Sequence, residues 1–397
     1  MALCRSSAGL QACPLRDFKL PKSFEKHPGG QLHLEDARKS ECAGTLFLSY
    51  HISSDMGKVA AAADALGVAI PERGPLYDEI HALVRKLQAE HPMQHVLFVV
   101  WCLLSTAVLL LTIVWWALRP GILTVIAMQN AFEVYFFNVF HTRHHKGGKL
   151  FGIPCLDNSL NVVYDFVDNI WGYYPRAWHW NHQVKHHVYT NELDADPDMP
   201  GSYPVLRAND AQPLQWFHKF QSFYFPLLLP FSVIALPIYN VVHNGGRTSC
   251  LLIWAFIMFV LPTWLHGSLG LIHSIAAQML ASISLSYKFA VSHTHDCLGA
   301  GDKVKAHMTI DGWIKAQVQE AQSWGGYIGC LLYGGINLQI EHHLCPALDP
   351  PYYALMAPEL RRICAKRGVA YTFEPTVVHA IVGFHSRLWN AGRKTEG

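Results

Sequence analysis

Val-Leu-Phe-Val-Val-Trp-Cys-Leu-Leu-Ser-Thr-Ala-Val-Leu-Leu-Leu-Thr-Ile-Val-Trp-Trp-Ala-Leu, residues 96–118, runs for 23 residues without a charge. A helix needs about 20 apolar residues to cross a bilayer core, so this stretch predicts a membrane span. Arg119-Pro120-Gly121 breaks it, and a second apolar stretch, 122–140, follows. Together they predict a transmembrane hairpin. Three further apolar stretches lie near 223–242, 250–272 and 275–292. The first holds Pro226, Pro230 and Pro237, which interrupt helix hydrogen bonding, so it is expected to lie in the interface. The predicted spans are therefore 96–118, 122–140, 250–270 and 272–292, a four-span all-α membrane bundle.

The composition agrees. Of 397 residues, 51% are apolar and only 15% charged, against roughly 25% charged in an average soluble domain. That excludes a disordered chain, and a net charge of +2 provides no basic excess for nucleic acid. Ten cysteines with no CxxC pair indicate neither a zinc ribbon nor a disulfide scaffold. Met1 to Phe18 lacks the apolar run of a signal peptide. Short helices are expected around Ala60–Ala63 and from Tyr77 to Glu90. Lys and Arg gather in the polar regions (Arg85, Lys86, Arg143, Lys146, Lys149, Arg176, Lys185), while the short connections carry only Arg119 and Arg247. The polar regions are expected to face the cytosol.

Twenty-four residues are histidine, and most of the chemistry lies in three clusters. The first is His141-Thr-Arg-His144-His145, at the end of the second apolar stretch. The second is His179-Trp-Asn-His182-Gln-Val-Lys-His186-His187, and the third Gln339-Ile-Glu-His342-His343. A pair, His293-Thr-His295, ends the last long apolar stretch. On a helix, residues three and four apart share a face, so His141, His144 and His145 should converge, as should His182 with His186. Neutral imidazole suits Zn, Cu, Fe or Ni. One structural zinc needs four ligands, and eight or more histidines fit two metals better than one. Lone histidines such as His218, His266, His307 and His379 are read as ordinary packed residues. Glu133, inside the second span, is read as a hydrogen-bonded support for this site.

The order HxxxH, HxxxHH, QxxHH around paired membrane helices resembles the membrane fatty acid desaturase family. Gln339 in the third cluster resembles its front-end branch, whose members usually carry a cytochrome b5 domain. Trp178, the run His186-His187-Val-Tyr-Thr190-Asn191, and Asp196-Pro197-Asp198 resemble that branch too. The likeness covers roughly residues 95–350. It implies two irons, with His141, His145, His182, His186, His187, His342 and His343 as the catalytic ligand set. Gln339 and His293 are implied as further ligands, His144 is an additional candidate, and His179 and His295 are implied as orienting neighbours. The implied reaction introduces a double bond into a long-chain, polyunsaturated acyl group with O2. Electrons would come from cytochrome b5 and its NADH-dependent reductase. The carrier stays open between CoA, phospholipid and sphingolipid. A sphingolipid desaturase or acyl hydroxylase on the same scaffold, or a histidine-rich metal transporter, remain alternatives. The implied location is the endoplasmic reticulum membrane, with the site facing the cytosol.

Before the spans, His27-Pro28-Gly29-Gly30 is followed by His51, 24 positions on. This pair resembles the two haem-ligating histidines of cytochrome b5, implying haem b held by His27 and His51. Only 26 residues precede His27, so the sheet-forming half of that domain is not in evidence. A truncated segment without haem, and a start lying further upstream, both stay open. The expected organisation is thus a cytochrome b5-like segment (1–70), a linker or amphipathic helix (71–94), a membrane domain (95–350) and a cytosolic tail (351–397).

Overall fold

The computed structural model describes residues 3–6, 9–12, 40, 42–170, 178–193, 195–198, 203–243, 248–295 and 309–393. His27, and with it half of the expected haem pair, lies outside them. An N-terminal hairpin pairs β1 (Leu3–Ser6) with β2 (Gly9–Ala12). Three helices precede the first apolar one: α1 (Ala43–Tyr50), α2 (Met56–Leu66) and α3 (Pro75–Glu90). The last two fall where the sequence predicts helices.

Among the described residues, three helices are long and apolar enough to cross a membrane: α4 (Met93–Leu118), α5 (Ile122–His145) and α10 (Thr248–His293). On α4, Leu97, Leu104, Leu111 and Leu118 are all more than half exposed. Spaced seven apart, they form one apolar stripe of the kind that faces lipid. The opposite face, Phe98, Cys102 and Leu109, packs with Ala131, Phe132 and Tyr135 of α5.

The 46 residues of α10 are not one straight rod. Gly267 has φ 61° and ψ −146°, a conformation open chiefly to glycine. A Cβ placed on Gly270 would lie 2.0 Å from the Pro262 carbonyl oxygen. Eight residues along a straight helix span about 12 Å, so the chain turns back here and the two halves touch. The break falls at Gly267, slightly before the boundary expected between 270 and 272.

The proline-rich stretch is divided as its composition predicts, into α8 (Gln221–Leu228), a short 3₁₀ turn (Leu229–Phe231) and α9 (Ser232–His243). None of these pieces is long enough to qualify as a span.

The other main helices among the described residues are α6 (Pro154–Ile170), α7 (a π-helical run, His179–His186), α11 (Ile310–Glu320), α12 (Tyr327–Leu332), α13 (Gln339–Leu344), α14 (Pro350–Lys366) and α15 (Val377–Ala391). A parallel pair, β3 (Ser323–Trp324) with β4 (Phe373–Glu374), joins the last part. Residues on both sides of the spans share one core. Phe47, Leu48, Leu76, Tyr77, Ile80 and Val84 pack with Trp313, Ile314, Ile340, Leu344, Tyr353 and Leu360. Asp311 also caps α3, accepting from the Leu76 and Tyr77 backbone N–H groups at 3.0 and 2.8 Å, which satisfies donors that a helix start leaves open. The expected tail folds back onto this assembly, with His385 of α15 lying 3.0 Å from the Tyr287 hydroxyl on α10.

Candidate metal centre

The ends of α5 and α10 meet α7 and α13, and histidine occupies all four elements. Two groups of ligand nitrogens form. One gathers His141, His145, His182 and His342; the other gathers His186, His293 and His343. Within each group the candidate atoms lie inside 4.8 Å of one another. His141 Nε2 is 3.2 Å from His182 Nε2, and His186 Nε2 is 3.2 Å from His293 Nε2. Gln339 borders the second group, its side-chain amide nitrogen 2.7 Å from His293 Nε2 and 3.0 Å from His343 Nε2. His187 lies between the two, its ring stacked 4.3 Å from His343 and 4.7 Å from both His145 and His342.

Local backbone decides this sorting. His141 and His145 converge as helical spacing predicts, their rings 4.7 Å apart. His182 and His186 go to different groups, contrary to the α-helical expectation. The reason is that α7 is π-helical, so residues five apart come together. His187 Nε2 accordingly lies 3.2 Å from His182 Nε2. His144 joins neither group: its Nε2 lies 3.4 Å from Asp168 and 3.3 Å from the Arg143 guanidinium. His179 turns to Gln183, 2.8 Å away, and Gln183 in turn donates to the His144 carbonyl. His295 is buried but belongs to neither group. His51 faces its own helix, with Nδ1 2.7 Å from the Phe47 carbonyl. His266 is held by the Ala117 carbonyl, so it gives no support to a row of ligands through the bilayer.

A second layer holds the rings. His186 Nδ1 lies 3.1 Å from Asp196, and His343 Nδ1 lies 2.7 Å from the Gln317 side-chain oxygen. His342 Nδ1 is 3.4 Å from the Tyr353 hydroxyl, and His145 Nδ1 is 2.8 Å from that of Tyr50. A partner on one ring nitrogen fixes the tautomer and aims the other. Glu341 anchors the third cluster, accepting from Tyr371 at 2.5 Å and Ser323 at 2.9 Å. Burial pushes its carboxyl up to about 7 despite those bonds. Trp178 covers the first group, stacked on His182 at 4.5 Å.

These residues fit metal ions. His145 Nε2, His342 Nε2 and Gln339 Oε1 are buried with no hydrogen-bond partner among the described residues. Such orphaned acceptors are costly unless something binds them. Burial, then the neighbouring imidazoles, holds His182, His187, His342 and His343 well below the usual histidine range. They are neutral, the form that donates a lone pair to a metal.

His186 behaves differently. Burial opposes its charge, but Asp196 and Asp198 overcome that and raise it to about 9. Without metal it is protonated at neutral pH, and a cation must displace that proton. Metal affinity of the second group should therefore climb with pH and level off above about 9. Asp196→Asn should move that climb to lower pH. Above it, the substitution should weaken affinity by about 10–100-fold. Competition titration with a chelator across pH checks both.

Sequence reasoning passed over several of these residues. Lys288 lies inside the last apolar stretch and forms a buried ion pair with Glu133 at 2.5 Å. A single charge within an otherwise apolar span was the signal available. Tyr50, Gln317 and Tyr353 carried no signal, because nothing local distinguishes them from packing residues.

Fold and site together define a helical membrane protein with a double histidine centre at the ends of its membrane-crossing helices. The chain matches the fatty acid desaturase family over residues 113–375, more than half its length, and it belongs to that family. It is 26% identical to the chloroplastic acyl-lipid (7-3)-desaturase of Chlamydomonas reinhardtii over 91% of this chain and 76% of that one. It is 26% identical to the probable Delta(5) fatty acid desaturase C of Dictyostelium discoideum, covering 59% of this chain and 61% of the relative. The acyl-lipid (7-3)-desaturase of Diacronema lutheri is 31% identical, covering 60% and 57%. The match thus spans about three fifths of the length of the last two. No solved structure matches the chain.

Proposed function

We propose that this chain is a membrane-bound di-iron enzyme of the front-end desaturase branch, inserting a double bond into a long-chain acyl group. The observation that carries the reading is the pairing of two imidazole groups around His187. His141, His145, His182 and His342 would hold one iron, and His186, His293, His343 and Gln339 the other. When bound, such a pair supplies the O2-derived oxidant that an unactivated methylene requires and that no side chain can provide.

The chain's own residues do the rest. Phe132, Tyr135, Phe136, Phe140, Leu236, Leu285 and Phe289 line an apolar cavity of about 230 Å³ between α5, α9 and α10. Phe140 directly precedes His141, so one cavity wall adjoins the metal centre. An acyl chain entering there from the bilayer would meet aromatic rings that exclude water. The relatives' names support an acyl group carried on a lipid.

The reversal at Gly267 supports four spans, counting α4, α5 and the two halves of α10. That arrangement leaves His141, His145 and His293 on one side of the membrane. The Lys/Arg distribution supports a cytosolic face for this side, and the proposed location is the endoplasmic reticulum membrane. Two electrons per turnover would come from cytochrome b5, reduced by its NADH-dependent reductase.

Expression in a host of known lipid composition, followed by mass spectrometry, tests the reading. New acyl species two hydrogens lighter than the host's are expected. Products that gain an oxygen atom instead would identify an acyl hydroxylase. An unchanged lipid profile in cells that hold the folded, iron-loaded protein would overturn the reading.

A further inference from the structure

The segment ahead of the first span, where a haem ligand was expected, makes a different contact. Helix α1 lies against the second histidine cluster: Leu46 packs with Val184, Val188 and Tyr189, and Tyr50 borders the same group. Phe47 and Leu48, on the other side of α1, are buried in the large core shared with α11, α13 and α14. Pinned from both sides, α1 sets the Tyr50 hydroxyl 2.8 Å from His145 Nδ1. His51 points elsewhere, its ring 4.4 Å from that of Phe47. His145 Nε2, meanwhile, is one of the buried nitrogens without a partner among the described residues.

We infer that Tyr50 is a positioning residue of the metal centre, its hydroxyl oxygen accepting a hydrogen bond from His145 Nδ1–H and so aiming an unprotonated Nε2 into the first group. This rests on the metal-centre reading above. An imidazole that carries its proton on Nδ1 must present a lone pair on Nε2, and the partner that accepts a hydrogen bond from Nδ1–H selects the tautomer. The same arrangement recurs around the site. Gln317 stands on His343 Nδ1, Asp196 on His186 Nδ1 and Tyr353 on His342 Nδ1. Those three follow the first histidine cluster in the chain; Tyr50 precedes the first span.

Residues 42–52 are therefore a working part of the metal centre whether or not haem binds upstream. The two groups also differ in their supports. Neutral phenols stand on the first group's His145 and His342. A carboxylate and an amide stand on the second group's His186 and His343. A phenol is the weaker acceptor, so the first group should donate less strongly to its metal.

The test uses the purified full chain, titrated with ferrous iron against a competing chelator. Tyr50→Phe keeps the ring and its packing and removes only the hydroxyl. It should weaken one of two iron sites by about 10–100-fold and leave the other unchanged. In the 57Fe-loaded protein, the Mössbauer quadrupole splitting of only half the iron should shift. His51→Gln should change neither site.

Wild-type iron affinity and an unchanged Mössbauer spectrum in Tyr50→Phe would overturn the inference while the metal-centre reading stands. Equal losses in Tyr50→Phe and His51→Gln would overturn it too, since a general disturbance of α1 and not the missing hydroxyl would then be responsible. A wild-type protein that takes up no iron would overturn the reading itself, and the inference with it.

Discussion

Alanine at His186 or at His343 is expected to abolish the desaturated product while the protein still inserts into the membrane. His186 Nε2 faces His293 Nε2 at 3.2 Å, and His343 contacts the His293 ring at 4.8 Å. Each is one of three imidazoles in the second group, so either change leaves two imidazoles and Gln339 there. Loss of a supporting residue around a metal typically costs about 10–100-fold in affinity or activity. Loss of a ligand should cost at least the upper end of that range.

Both residues lie outside the apolar stretches that drive insertion. Membrane fractionation and a monodisperse detergent extract should match the parent. Mass spectrometry of the host's lipids should show no new species, and iron content should fall to at most one ion per chain. Product formation retained in either variant would refute the assignment of these residues.

The buried pair of Glu133 and Lys288 should show the largest stability effect. Glu133 lies about two turns before His141 on α5, and Lys288 precedes His293 on α10. Lys288 Nζ is 2.5 Å from Glu133 Oε2, donates also to Ser284, and sits 4.6 Å from the centre of the Tyr333 ring. Glu133 Oε1 accepts from Gln129 at 3.2 Å. Both side chains are under one tenth exposed, so each charge depends on the other.

Removing one partner strands a charge away from water. Lys288→Met or Glu133→Gln alone should therefore cost about 3–5 kcal/mol. The double substitution should recover most of that loss, because no charge is then left buried. Unfolding in detergent, read as a double-mutant cycle, checks this. Additive losses in the double variant would mean that the two residues do not act as a pair.

Sequence and structure divide the account along a physical line. Features that depend on local spacing and burial were legible. The apolar runs announced α4 and α5, because a bilayer core requires about 20 apolar residues. The three prolines predicted the broken α8–α9 segment. The QxxHH motif marked Gln339, His342 and His343 as one cluster, which the structure carries on a short helix. The density of imidazole beside apolar helices announced metal chemistry before any fold was drawn.

Contacts between distant parts of the chain were not legible. Asp311 caps α3 from more than two hundred residues away, and Lys288 meets Glu133 across two helices. The separation of His182 from His186 depends on π-helical backbone in α7, which α-helical spacing does not anticipate.

By itself, then, the sequence determined the class of molecule: a membrane helix bundle rich in paired histidines, with a likeness to desaturases that the family match bears out. Only the tertiary structure decided which imidazole enters which group, why His144 turns to Asp168, and which outer residues hold each ring. Ligand type is a property of a residue and can be read one letter at a time. Ligand geometry is a property of packing, and Tyr50 approaches His145 only because α1 is buried between the second histidine cluster and the shared core.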